Sequence, residues 1–223
     1  LEYGTTTLIS GQSGTGKSTM ATVFAVAAAQ AGEKAAMFLF EERPEVFRAR
    51  SEGVGLPLDA HEESGAVALT HFDPAETSPG EFSRFVIEAV EQDEIRLVVI
   101  DSLSGYIAAL PDRTNVMTHL VALLQYLARR GVVVIVTLAQ HGLLGEPPRT
   151  EVDASYLADS IILLRQYTAG AEIRRSIGVL KKRHSDHSRG LGELVIRTGA
   201  VEIVPLSPEV ALRAAASADL GQR

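Results

Sequence analysis

Short runs of apolar residues alternate with longer segments in which apolar residues recur at helical spacing along most of the chain. The runs at 35–40, 96–101 and 132–139 have the length of buried strands. The segment 113–131 has the periodicity of a helix that ends at Gly131. Because strands that alternate with helices indicate βαβ units, the pattern predicts an α/β fold with a mostly parallel central sheet flanked by helices.

The last part of the chain has a different pattern, in which strand-like runs follow one another without a helix between them. The runs at 160–167 and 174–183 are expected to form adjacent strands. The segment 192–204 is expected to form a C-terminal β-hairpin that turns at Thr198-Gly199. The polar, Ala-rich end of the chain, residues 212–223, is expected to fray.

The residues GQSGTGKST, at 11–19, lie between a strand-like and a helix-like segment. Their spacing fits G-x-x-x-x-G-K-[ST]. Glycines let backbone N–H groups curl around an anion, and the positive end of the following helix dipole points at the same place. Lys17 is expected to reach the β- and γ-phosphates and the Ser18 hydroxyl to ligate Mg²⁺. The residues predicted to bind a nucleoside triphosphate are Gly11, Ser13, Gly14, Thr15, Gly16, Lys17, Ser18 and Thr19.

Three acidic residues follow predicted strands at positions where a phosphate-loop enzyme needs carboxylates. Asp101 ends the apolar run RLVVID and is expected to hold Mg²⁺ beside the loop. Glu41 and Glu42 follow the strand after the first helix, and the carboxyl ends of parallel strands form the ligand crevice of such a sheet. A carboxylate there orients or deprotonates the attacking water, and one of the two glutamates suffices for that role.

Composition and charge narrow the class of protein. The chain has 223 residues, 46% of them hydrophobic, which suits one large domain with its own core. It has no cysteine, which excludes disulfides and thiolate metal sites. A net charge of −7 argues against nucleic-acid binding, because contacts to the phosphate backbone need clustered Lys and Arg. No run is long enough to span a membrane, and we expect a cytoplasmic protein.

The motifs follow one another in an order typical of one protein family. After the phosphate loop come the segments FEERPE at 40–45, RLVVIDSLS at 96–104, SYLADSIILL at 155–164 and VLKKRHSDH at 179–187. In this order the chain resembles the KaiC family, the circadian-clock ATPases of the RecA-like superfamily, and above all their autokinase-type C-terminal domain. The resemblance implies a RecA-like fold, ATP with Mg²⁺, hexameric rings with ATP between neighbours, and catalytic roles for Glu41 and Glu42.

The resemblance also implies roles for residues late in the chain. Lys181 and Arg183 match a catalytic K-x-R pair that reaches the γ-phosphate of the adjacent subunit, and strand alternation puts both on one face. His187 matches a histidine near the neighbour's nucleotide. Ser155 matches a phosphorylated serine, and the threonine that follows it in the family is replaced here by Tyr156. Ser155 is therefore a candidate phosphosite without its usual partner.

The resemblance sets the expected limits of the domain. Residues 1–206 are expected to form the ATPase domain, and residues 207–223 a C-terminal tail. The phosphate loop begins ten residues into the chain, which leaves little room for the segment that usually covers the base. We therefore expect this N-terminal segment of the domain to be missing. Gln140, after the strand at 132–139, is expected to sense the γ-phosphate.

The leading prediction is a slow ring ATPase with serine autokinase activity. Two other functions stay open. A DNA recombinase or helicase of the same superfamily needs basic pore loops, whereas residues 141–154 contain Arg149 together with Glu146, Glu151 and Asp153. A nucleotide-gated scaffold, in which ATP holds subunits together, is not separated from the ATPase by sequence. Regulatory protein partners are expected of a clock-type protein, but no residue identifies them.

Overall fold

A nine-stranded sheet forms the centre of the computed structural model, which describes residues 1–73, 75–108, 113–140 and 154–216. The strands are Thr6–Gln12 (β1), Lys34–Leu39 (β2), Val67–His71 (β3), Ile95–Asp101 (β4), Val133–Gln140 (β5), Ser160–Ala169 (β6), Glu172–Lys182 (β7), Gly192–Arg197 (β8) and Ala200–Pro205 (β9). Their order across the sheet is β3-β2-β4-β5-β1-β6-β7-β8-β9. The strands from β3 to β6 run parallel, and β7 to β9 continue the sheet antiparallel.

Helices of the described residues pack on both faces of this sheet. They are Lys17–Gln30 (α1), Pro44–Gly53 (α2), Asp59–Glu63 (α3), Pro79–Asp93 (α4), Leu103–Ala108 (α5), Arg113–Arg129 (α6) and Pro208–Ala216 (α7). None of these described helices is long and apolar enough to cross a membrane. The predicted α/β architecture, with a mostly parallel sheet and a C-terminal hairpin, is confirmed.

Side chains of the central strands alternate between two hydrophobic cores, one on each face of the sheet. In β4, Val98 and Ile100 belong to the core formed with α4, α5 and α6, whereas Leu97 and Val99 belong to the core formed with α1 and α2. Strands buried on both faces carry apolar side chains at nearly every position. This double burial explains why the runs that predicted β4 and β5 show no alternation of polar and apolar residues.

The parallel register brings the carboxyl ends of four strands to one edge of the sheet. Gly11 at the end of β1 pairs with Ala139 of β5, and Asp101 at the end of β4 pairs with Leu39 of β2. The loops that follow β1, β2, β4 and β5 therefore meet at this edge. We call it the loop edge, and the other end of the same strands the opposite edge.

The β8–β9 hairpin docks its turn on the end of α2. The backbone N–H of Gly199 donates a hydrogen bond to Gly53 O at 2.9 Å. Gly55 has a φ of 80°, and a Cβ built on it would lie 2.3 Å from Gly199 O. This contact joins the antiparallel end of the sheet to the loop edge of its parallel part.

The structure adds elements that the hydrophobic pattern did not predict, notably α2, α3, β3, α4 and α5. A usable signal existed for α4, because Ser78, directly before the helix, forms a capping box with Glu81 in its first turn. The chain end also differs from expectation. Residues Pro208–Ala216 form α7, and Ala214 is buried against the sheet, while residues 217–223 lie outside the described part of the chain.

We predict that Gly55→Ala destabilises the domain more than Gly32→Ala. Both glycines have a positive φ near 80°, but nothing lies within 4 Å of a Cβ at Gly32. The control should cost about 1 kcal/mol of unfolding free energy for backbone strain. Gly55→Ala should cost about 2–3 kcal/mol because it also displaces the hairpin. Urea unfolding of both variants measures the difference, and equal losses would show that the contact with Gly199 contributes nothing.

Candidate functional site

The phosphate loop joins β1 to α1 at the loop edge. Gly16 caps α1 with a φ of 98°, a conformation that favours glycine. A Cβ at this position would lie 2.7 Å from Ile196 Cδ1 of β8, so the glycine also lets the hairpin pack closely on the loop. The strand–loop–helix setting expected for GQSGTGKST is the setting that the structure has.

Lys17 is the first residue of α1 and turns back into the loop. Its Nζ donates a hydrogen bond to Gln12 O at 2.9 Å. Burial lowers the pKa of the Lys17 ammonium, and the nearby carboxylates of Asp101 and Glu41 act in the opposite direction. The loop thus holds a largely desolvated cation that faces two acids, and anionic phosphates would compensate its charge further.

Asp101 and Ser18 present oxygen atoms next to this lysine. Asp101 is only 9% exposed, and the Thr137 hydroxyl of β5 donates a hydrogen bond to its Oδ1. Within the described residues, Asp101 Oδ2 has no hydrogen bond. A carboxylate and a hydroxyl are ligand types that Mg²⁺ prefers, so the side chains present here fit a nucleotide-bound Mg²⁺.

The two glutamates after β2 have different surroundings. Glu42 forms an ion pair with Arg50 of α2 at 2.8 Å, and Arg50 also donates a hydrogen bond to the Thr19 hydroxyl at 3.4 Å. Glu42 therefore links α2 to the phosphate loop. The Glu41 carboxylate makes no hydrogen bond or ion pair with any described residue, which leaves its oxygens available to a water molecule.

Glu41 is positioned instead by packing against α5. A Cβ built on Gly105 would lie 2.5 Å from Glu41 Cγ, so only a glycine leaves room for this side chain as it stands. Side chains also anchor α5 to its surroundings. Ser102 Oγ accepts a hydrogen bond from Gly105 N at 3.1 Å, and Ser104 Oγ accepts one from Ala139 N of β5 at 2.9 Å.

These residues surround one cavity of about 450 Å³ at the loop edge. Its floor is the phosphate loop with Lys17, Ser18 and Thr19, and its acidic wall is formed by Glu41, Glu42 and Asp101. Its remaining lining is Arg50 and Val54 from the α2 region, Ser102, Ala139, Arg175 of β7 and Ile196 of β8. Gly11 and Thr15 do not line it, whereas the other predicted loop residues, the metal residues and both glutamates do.

Lys181, Arg183 and Ser155 are not part of this cavity. Lys182 pairs with Ser160, and Ser160 neighbours the start of β1, so the end of β7 lies at the opposite edge. The seven residues of β1 separate that edge from the phosphate loop by roughly 20 Å. A side chain near the end of β7 therefore does not reach the loop of its own chain.

At the opposite edge the basic residues contact the turn before β6. Lys181 Nζ donates hydrogen bonds to the carbonyls of Ser155 and Ala158, at 3.1 and 2.7 Å. Arg183 lies 3.5 Å from Asp159. Lys182 pairs instead with the N-terminal Glu2 at 3.5 Å.

Two further predicted residues, His187 and Gln140, do not line the cavity. His187 lies in the segment between β7 and β8, where its backbone N–H donates to Asp186 Oδ1 at 2.9 Å. Gln140 ends β5 beside Gln12, and its buried Oε1 has no hydrogen-bond partner among the described residues. The pore loop expected to follow lies outside the described residues, apart from Ala154.

Sequence reasoning missed several residues of this site, among them Arg50, Gly105 and Arg175. Arg50 lies on an unpredicted helix, and Gly105 matters only through its contact with Glu41. Arg175 belonged to a basic run in which no spacing singles it out. None of these three residues belongs to a local motif such as a helix cap or a metal site. Their importance comes from contacts with other elements of the fold.

Comparison with known proteins identifies the family. The sequence model of the family described as the KaiC ATPase matches residues 1–207 of this chain. The chain belongs to the KaiC family. It is 29% identical to circadian clock protein KaiC3 of Synechocystis sp. over 217 residues, which cover 93% of this chain and 43% of the relative. It is 27% identical to the clock oscillator protein KaiC of Picosynechococcus sp. over 219 residues, which cover 92% of this chain and 42% of the relative.

A solved structure of a KaiC-like protein has the same fold. That protein comes from the hyperthermophilic archaeon Pyrococcus horikoshii OT3, with a TM-score of 0.79 and 26% identity. The match covers 91% of this chain and 90% of that chain. This chain therefore spans less than half the length of the two clock relatives, but nearly all of the archaeal KaiC-like structure. The resemblance to the KaiC family and its RecA-like ATPase domain is confirmed.

We predict that Gly105→Ala slows ATP hydrolysis by this KaiC-family domain without weakening its fold. The new methyl group displaces Glu41, for which the sequence predicts a catalytic role, and a misplaced catalytic group costs about 10-fold to 100-fold in rate. Alanine also favours the helix, so the melting temperature should not fall. Gly80→Ala in α4 is the control, because a Cβ there meets only an ordinary contact at 3.7 Å. Phosphate release and thermal unfolding are measured for both variants, and normal hydrolysis by Gly105→Ala would contradict the packing role.

Proposed function

We propose that this KaiC-family domain hydrolyses ATP at the loop edge, with Glu41 as the residue that activates water. The observation that carries the proposal is that Lys17, Asp101 and Glu41 line one cavity. A cation for the phosphates, a carboxylate for the metal and a free carboxylate for water are the parts that phosphoryl transfer to water requires. Val54 and Ile196 add apolar surface that suits the base or ribose of the nucleotide.

Each side chain has a distinct part in this mechanism. The loop N–H groups and Lys17 bind the β- and γ-phosphates and neutralise their charge. Ser18 and Asp101 would hold Mg²⁺, which when bound supplies further positive charge at the phosphates. Glu41 orients a water in line with the γ-phosphate and accepts its proton. Glu42 keeps Arg50 and α2 in place and does not act on water.

We further propose that the site is completed by a second copy of the chain in a ring, as a hexamer. Lys181 and Arg183 lie at the opposite edge, where they are distant from their own loop. A cation supplied by a neighbour stabilises the transition state in the manner of an arginine finger. His187, on the segment that follows β7, would contact the same neighbouring nucleotide.

Other parts of the expected function stay predictions from the family resemblance. Phosphorylation of Ser155 would require a nucleotide held by another chain, because Ser155 lies at the opposite edge. Its neighbour Tyr156 is 56% exposed, so this turn is open to an approaching partner. Regulatory partners of the clock or signalling type and a cytoplasmic location are likewise predicted from the sequence.

We predict different effects for the two glutamates. Glu41→Gln keeps the shape of the side chain and removes its basicity, so hydrolysis should fall by about 10²-fold or more while ATP still binds. Glu42→Gln weakens the ion pair with Arg50, so hydrolysis should fall less than about tenfold. Phosphate release and nucleotide affinity are measured for each variant. Equal losses would contradict the division of roles, and an inactive wild-type protein that assembles with ATP would indicate the scaffold function.

We also predict that catalysis requires two chains. Arg183→Ala and Lys17→Ala should each be inactive alone. A mixture of the two should recover part of the activity, because some interfaces then combine an intact loop with an intact Arg183. Lys182→Ala is the matched control, since Lys182 pairs with Glu2 and should stay active. A mixture that recovers nothing, although native mass spectrometry shows mixed rings, would exclude a shared site.

A further inference from the structure

Two side chains on the neighbouring strands β6 and β7 contact the backbone of the phosphate loop. Gln166 of β6 and Arg175 of β7 are paired across the two strands. Arg175 Nε donates a hydrogen bond to Gly14 O at 3.0 Å, and Gln166 Nε2 lies 3.5 Å from Ser13 O. Two successive carbonyls of the loop therefore face side chains of the sheet.

Because side chains alternate along a strand, Arg175 and its neighbour Arg174 lie on opposite faces of β7. Arg175 lies on the same face of β7 as Ile177, which packs in the core shared with α1. Arg174 lies on the other face, where it pairs with Glu172 and Glu193 at 2.8 and 3.4 Å. Arg175 lines the nucleotide cavity and has no carboxylate partner among the described residues.

The orientation of the Gly14 carbonyl matters for anion binding. In a trans peptide the C=O and N–H groups point in opposite directions. A loop that binds phosphate must therefore turn its carbonyls outward, because an inward carbonyl would repel the anion. Gly14 has a φ of 75°, and glycine by itself restrains the flanking peptide groups only weakly. A charged donor on its carbonyl supplies the missing restraint.

We propose that Arg175 is a positioning residue, which holds the phosphate loop of its own chain in the anion-binding conformation. It acts through Gly14 O, and it therefore supports the binding of every nucleotide that places a β-phosphate in the loop. This role is distinct from that of Lys181 and Arg183, which serve a neighbour. The inference rests on nucleotide binding at this loop, as proposed above.

Nucleotide affinity of the full chain tests this role. Arg175→Ala should weaken ATP and ADP by a similar factor, about tenfold, whereas Arg174→Ala should bind both within about twofold of wild type. Arg175→Gln is the informative variant, because glutamine places Nε2 at the same point along the side chain as arginine Nε, and so keeps the donor without the charge. Arg175→Lys keeps the charge and has carbon at that point.

We expect Arg175→Gln to recover more of the nucleotide affinity than Arg175→Lys. The melting temperatures of the variants should be unchanged. Arg175→Ala should raise KM for ATP while kcat stays nearly constant. Recovery by lysine rather than glutamine, or a loss confined to ATP, would overturn the positioning role in favour of direct contact with the γ-phosphate. Wild-type affinity in Arg175→Ala, while Lys17→Ala binds weakly, would overturn this inference alone. Absence of nucleotide binding by the wild-type protein would overturn the proposed function as well.

Discussion

Pairing of β1 with strands on both sides is the constraint on which the rest of this structure depends. β1 is buried along most of its length, and its register sets Gly11 opposite Ala139 of β5 and Leu164 of β6. A shift of one residue would turn Thr7 and Ile9 to the wrong cores, and it would leave buried backbone groups unpaired. The phosphate loop therefore begins at one fixed point of the sheet. The acids after β2 and β4 reach the same point because those strands share the register.

The antiparallel strands give this site its second support. The β8–β9 hairpin packs on Gly16 of the loop and on the end of α2, and β7 brings Arg175 to the loop from the side. The same strand carries Lys181 near its other end, at the opposite edge. One rigid strand thus reaches its own nucleotide cavity at one end and a surface available to a neighbour at the other. The single sheet ties these two positions together.

The sequence by itself determined the fold class, and it predicted the residues of the candidate site. Continuous apolar runs predicted the buried strands β2, β4 and β5, because a strand covered on both faces has apolar side chains at most of its positions. The phosphate loop was recognisable because its function depends on residues adjacent in sequence. Asp101 was recognisable because it ends a buried strand. Less periodic elements such as α2 and β3 were missed, since their boundaries depend on packing partners more than on a local pattern.

Tertiary structure alone decided the surroundings of each of these residues. Glu41 and Glu42 are equivalent in sequence, and they differ because Arg50 pairs with one while Gly105 makes room for the other. The basic run around β7 contains several arginines, and only strand pairing places Arg175 on the loop. Gly105 and Glu41, like Arg175 and Gly14, are far apart along the chain, whereas Arg50 and Glu42 are close in sequence and meet because α2 folds back beside the end of β2. These contacts follow from strand register and helix placement, which depend on the balance of packing over the whole domain rather than on any local motif.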